Sequence, residues 1–186
     1  SLNDLINLQE ITFGYNFNQP LSNSLNNLVN LTHLTVGDYF NQVLSNSLNQ
    51  LHNLTHLTFG RNFNQPLGNS LSQLVNLTNL IFGLYFNQPL DNSLSQLVNL
   101  TNLTFHHNFN QPLSNSLNNL TNLNELTLGF YFNQELEIPF NIRVLKLNCN
   151  NVHLIENLPD SIEELHLLIQ FNLELNNLPT SIKIIS

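Results

Sequence analysis

LTHLTFGRNFNQPL, residues 54–67, returns with small changes as LTHLTVGDYFNQVL at 31–44 and as LTNLIFGLYFNQPL at 77–90. The Phe of its Phe-Asn-Gln step recurs at Phe17, Phe40, Phe63, Phe86, Phe109 and Phe132, always 23 residues apart. A fixed period of this length marks a solenoid, because one such unit cannot bury its own apolar face and is completed by its neighbours. The apolar positions of a unit fall as Leu51, Leu54, Leu57 and Phe59. Alternation over the last of these suits a short strand with one buried face, and the preceding Leu-x-x-Leu steps suit an irregular or single-turn helical segment. Strands at one position of successive units pair in parallel. The expected fold is a strand-rich α/β solenoid: a right-handed coil with a parallel β-sheet on its concave face and mostly irregular or short helical convex segments.

After Phe132 the rhythm changes. IPFNI (138–142), LPDSI (158–162) and LPTSI (178–182) recur every 20 residues, each leading into another strand. One repeat domain over 1–186 is therefore expected, with regular units over 1–137 and shorter ones over 138–186. Counting the first apolar position of each strand motif from Leu8 to Ile182 gives nine strands, the last incomplete. The shorter units leave less chain for the outer side, so their convex segments are expected to be more extended. The chain starts and stops inside a repeat and has no Met. It reads as part of a longer protein whose uncapped ends would allow end-to-end self-association.

Only Arg61, Arg143, Lys146 and Lys183 are basic, against twelve acids. Nucleic acid needs clustered cations to replace its counterions, and an anionic membrane surface needs them too, so neither is an expected partner. About one residue in five is Asn, yet regular Leu spacing supplies the burial that a disordered amide-rich tract lacks. The single Cys149 forms no internal disulfide, which points to a reducing compartment, the cytoplasm. Asn-x-Ser/Thr sequons at Asn30, Asn53, Asn76, Asn99, Asn102 and Asn119 mostly share one repeat position, which favours a structural origin over glycosylation.

The frame Leu-x-x-Leu-x-Leu, preceded by Ser-Leu-x-x-Leu-x-x-Leu, resembles leucine-rich repeats. The three stretches quoted above are similar to the FNIP repeat, a variant named for Phe-Asn-Ile-Pro, and LPDSI and LPTSI match its Leu-Pro-x-Ser spacing. That resemblance covers nearly the whole chain. FNIP repeats are typical of social amoebae and giant viruses and often follow an F-box. It implies the substrate-recognition arm of a cullin-type ubiquitin ligase, placed in the host cytoplasm for a viral protein. FNQPL also resembles bacterial surface-protein repeats, whose usual Trp-rich partner motif is missing here. The alternative function is thus a structural or surface-display repeat with no ligase role.

Two sets of residues stand out. The signature pairs Phe17–Asn18, Phe40–Asn41, Phe63–Asn64, Phe86–Asn87, Phe109–Asn110 and Phe132–Asn133 read as a structural ladder. In it the Phe rings stack from coil to coil, and inward Asn side chains serve backbone groups that the turn leaves unpaired. The variable positions on and just beyond the strands read as a concave face for a protein partner: Tyr15, His33, Asp38, His56, Arg61, Leu84, His106, His107, Glu125, Phe130 and Lys146. His33 and His56 lie at one position of adjacent strands and His106 and His107 are sequential, but neither pair has an evident third ligand, so no metal site is expected. No nucleophile elbow or catalytic Cys context is present, and neither catalysis nor a cofactor is expected. Residues before the signature Phe alternate Asn16, Tyr39, Asn62, Tyr85, Asn108, Tyr131. Duplication of a two-unit block and packing of a bulky ring over a small neighbour both account for this.

Overall fold

The computed structural model describes residues 2, 4–113, 115–156, 158–168, 178 and 182–185. Pro179, Thr180 and Ser181 of the third Leu-Pro-x-Ser-Ile motif lie outside the described residues. Nine strands follow in chain order: β1 (Glu10–Thr12), β2 (His33–Thr35), β3 (His56–Thr58), β4 (Asn79–Phe82), β5 (Asn102–Phe105), β6 (Glu125–Leu128), β7 (Val144–Leu147), β8 (Glu164–Leu167) and β9 (Lys183–Ile185). Each pairs in parallel with the next in one sheet of order β1 to β9. The register keeps like with like: Glu10, His33, His56, Asn79, Asn102 and Glu125 form one row, and Leu34, Leu57, Leu80, Leu103 and Leu126 the row beside it.

Along β4 to β8 half-buried and buried residues alternate, so the Leu row faces a core and its neighbours face outward. That core is one continuous cluster running the length of the coil. Phe40, Phe63, Phe86, Phe109 and Phe132 lie inside it as a stack of nearly parallel rings, successive centroids 6.0–6.2 Å apart. Phe59, Phe82 and Phe105 form a second stack against the first. In the first coil Phe13 and Phe17 are only partly buried.

On the outer side, regular units run through consecutive turns. Leu28 N–H donates to the Leu25 carbonyl and Leu31 N–H to that of Leu28, both at 3.0 Å, and the pattern repeats in later coils. The described residues contain one helical turn, α1 (His153–Glu156), and it sits in a shorter unit. The expectation that shorter units are more extended is therefore wrong for this one. Leu154 and Ile155 are adjacent rather than three apart, and a helical turn buries both.

Ser22, Ser45, Gly68 and Asp91 share a left-handed backbone, with φ of 45°, 46°, 50° and 44°. All four sit where the chain turns after the signature Leu. Sequence alone hides this constraint, because only one of the four is the Gly that such a φ favours.

Candidate functional site

The signature amides build a ladder along the strand-exit side. Asn18 Oδ1 accepts the Asn41 backbone N–H at 2.9 Å and the Gln42 Nε2 donor at 3.0 Å. Asn41, Asn64, Asn87 and Asn110 do the same for the next coil at 2.9 Å and 3.0–3.1 Å. These Asn side chains are half-buried or exposed, not inward as expected, since a shielded edge suffices when each oxygen already has two donors. Asn64→Ala would leave the Asn87 N–H and the Gln88 amide without their acceptor. A loss of about 1 kcal/mol is expected in urea unfolding, at the low end because water reaches the site.

A second ladder explains the sequons at Asn30, Asn53, Asn76 and Asn99. Asn30, Asn53, Asn76, Asn99 and Asn122 donate Nδ2 to a carbonyl of the preceding coil at 2.8–2.9 Å. Thr32, Thr55, Thr78 and Thr101 donate Oγ1 to the preceding coil's carbonyl at 2.9–3.0 Å. Together these side chains line a groove of about 1170 Å³ along the strand-entry edge of the sheet.

Next to this edge, on the outward face, His33 and His56 stack with centroids 4.2 Å apart and planes 12° from parallel. Burial, and then the neighbouring His33, hold His56 below the usual histidine pKa of 6.5. Burial also lowers His106. In the unfolded chain both titrate near their ordinary value, so unfolding takes up protons once the pH falls through about 6.5. Stability is expected to be flat above about pH 7.5 and to drop as pH falls from about 6.5 to the lowered folded values. Urea midpoints across that range test it, and His56→Asn should flatten the slope.

At the strand-exit rim the variable positions meet. Asp38, Arg61, Leu84 and His106 line one shallow hollow of about 520 Å³ with Thr35, Thr58 and Ile81. Asp38 Oδ1 accepts the Arg61 backbone N–H at 3.3 Å. Tyr15 packs edge-on against Tyr39 at 5.1 Å, Arg61 sits over the Tyr85 ring at 5.7 Å, and His107 meets Tyr131 edge-on at 4.9 Å. His107 also stacks on Phe130 at 5.1 Å. The Asn/Tyr alternation thus has a packing partner: Tyr15, Arg61 and His107 each support the Tyr one coil on. Sequence reading recorded the alternation without including Tyr39, Tyr85 and Tyr131 in the site, and the 46-residue period was the available signal. Tyr15, Tyr39, Tyr85, Phe130 and Tyr131 remain 42–58 % exposed, a broken aromatic stripe on a surface otherwise dominated by amides.

Two predicted site residues neutralise each other instead of lying free. Lys146 Nζ reaches Glu125 Oε1 at 2.6 Å, farther along the sheet from the hollow. Cys149 is buried, and burial raises its thiol pKa, which is the opposite of an activated nucleophile. Among the described residues no three His, Cys, Asp or Glu side chains are grouped to hold a metal ion, and no helix is long and apolar enough to cross a membrane.

Comparison with known proteins agrees with this geometry. The FNIP Repeat family model matches residues 132–168. The solved structure of CroV588, a circular leucine-rich-repeat protein from a giant virus, superposes with a TM-score of 0.79 at 33 % identity over 96 % of this chain. The chain spans 27 % of that protein. Toll in the Drosophila Toll–Spatzle complex matches over 100 % of this chain and 27 % of its own, with a TM-score of 0.54 at 18 % identity, which speaks for the fold alone. The Listeria monocytogenes internalin inlF does so over 87 % of this chain and 54 % of its own, at 0.53 and 14 %. Comparison with curated proteins returns no match. Repeat period, parallel sheet, amide ladders and these likenesses converge: the chain is a leucine-rich-repeat solenoid of the FNIP type.

Proposed function

We propose that this solenoid is a protein-recognition arm that binds its partner on the concave face and strand-exit rim, and that it serves in the cytoplasm as the substrate-recognition region of an F-box type ubiquitin-ligase receptor. The repeat fold supports a protein–protein interaction module. The observation that carries the reading is the exposed stripe of Tyr15, Tyr39, Tyr85, Phe130 and Tyr131, interrupted by Arg61 and His107. Tyr and Arg are the side chains that most often anchor protein interfaces, and here each is already held by a neighbour, so little freedom is lost on binding. The ligase role rests on the family resemblance. Glycans at the sequons would favour the structural alternative, and the Nδ2 ladder of Asn30, Asn53, Asn76 and Asn99 accounts for the recurrence of those four without glycans.

Affinity capture from host lysate, comparing the chain with a variant altered at Tyr15, Arg61, His107 and Phe130, tests the site. The variant is expected to lose specific partners by at least about tenfold in recovered amount, as for loss of two or more interface anchors. Equal recovery by both proteins would refute the concave-face reading. Ubiquitin-ligase subunits co-purifying with a longer form of the protein would support the receptor role.

A further inference from the structure

The threonines beside the His33 row decide which way its side chains present their hydrogen-bonding atoms. Thr32 Oγ1 lies 2.9 Å from the Gln9 carbonyl and 2.9 Å from His33 Nδ1. A hydroxyl has one proton, and a carbonyl can only accept it, so the ring nitrogen must be the donor. His33 therefore carries its proton on Nδ1 and leaves Nε2 as an acceptor. Thr55 imposes the same on His56, at 3.0 Å from the Thr32 carbonyl and 2.9 Å from Nδ1. One coil on, Thr78 Oγ1 lies 3.0 Å from the Thr55 carbonyl and 2.9 Å from the Asn79 side-chain amide. Two oxygens cannot share one proton. Asn79 accordingly turns its amide nitrogen to Thr78 and its oxygen outward, and Thr101 makes the same demand of Asn102.

We infer that His33, His56, Asn79 and Asn102 form a row of outward hydrogen-bond acceptors, and that this row takes a cationic, donor-rich polypeptide segment, one carrying arginine. The inference rests on the concave-face reading and names the chemistry of its partner. Neither Nε2 has a hydrogen bond within the described chain. Glu10 extends the row at one end, and the chain carries a net charge of −8. A row dominated by acceptors on an acidic protein disfavours carboxylates and phosphates and suits a guanidinium, which has only donors.

The test uses the whole chain at pH 8. Long-range proton–nitrogen NMR should place the proton on Nδ1 of His33 and His56. An acetylated, amidated heptapeptide of alternating arginine and glycine should shift these two rings and the Asn79 and Asn102 amides, while its glutamate counterpart should not. His56→Leu should weaken binding of the arginine peptide about tenfold or more, the loss of one hydrogen bond to a charged donor. His56→Asn places in the row a residue that the fold already accepts two coils later, and should bind within about twofold of the parent. A proton on Nε2, an equal response to the glutamate peptide, or equal weakening by both substitutions overturns the inference. An arginine peptide that lands on the Tyr15–Phe130 rim overturns the acceptor row and leaves the concave-face reading standing. Binding at His33 and His56, with lysate capture unaffected by the rim variant, overturns the rim as the anchor and leaves the acceptor row standing.

Discussion

Phe86→Ala is expected to lower the unfolding free energy by about 3–5 kcal/mol, the cost of emptying a fully buried aromatic site that cannot collapse. Phe86 has no exposed surface. Its ring lies between Phe63 and Phe109, 6.0 Å from each, and rests on Phe82 at 4.1 Å. All three neighbouring rings are held by their own coils, so none can move into the gap without leaving its place in the stack. A solenoid's stability is the sum of its units and of their interfaces, and this change weakens the interfaces on both sides of one coil. Phe17 provides the internal comparison. It occupies the same position but is only partly buried in the first coil, and it has Phe40 on one side with Phe13 as its other ring neighbour. Phe17→Ala should cost roughly half as much. Urea unfolding followed by circular dichroism distinguishes the two, and equal losses would show that the stack is not cooperative.

Gly60→Ala should cost at least about 3 kcal/mol, although it adds a single methyl group. A Cβ at Gly60 would lie 2.2 Å from the Gly37 carbonyl oxygen and 2.5 Å from its carbon. The obstruction is backbone that also belongs to the adjoining turn, where the Phe40 N–H donates to the Gly37 carbonyl at 3.0 Å, so relief requires two coils to separate. Gly83 and Gly129 meet the preceding coil at 1.9 Å and 2.0 Å, and the same penalty is expected there. Gly14, by contrast, has nothing within 4 Å of an added Cβ, and Gly14→Ala should be within about 0.5 kcal/mol of the parent. The requirement for Gly here is close approach, since none of these four carries a positive φ. Denaturation midpoints of the Gly14 and Gly60 variants measure that difference directly.

Much of this architecture is legible in the chain because its cause is periodic. Leu34, Leu57 and Leu80 stand 23 residues apart and pair in register, since a repeated sequence can satisfy a repeated backbone only by aligning identical positions. The Phe stack follows from the same alignment. The amide ladder was half legible: the Asn column was evident, but its half-buried position and the Gln side chains that share its oxygens depend on where the turn lies. The left-handed turn at Ser22, Ser45 and Asp91 carries no residue signal of its own. The candidate site was legible as a set of positions and not as a set of contacts. Arg61 on Tyr85 and Lys146 on Glu125 join residues of different coils, and no local pattern announces such pairs.

The sequence by itself determined the repeat length, the nine strands, their parallel order and the composition of the core. Each of these depends on burying a periodic apolar face, and hydrophobic burial is insensitive to angular detail. Only the tertiary structure decided which glycines admit no Cβ, which rim residues support the tyrosines, and which atoms of His33 and His56 face outward. Those outcomes depend on contacts of a few ångströms between neighbouring coils and on hydrogen bonds that have a direction, and both arise only once the coils are stacked.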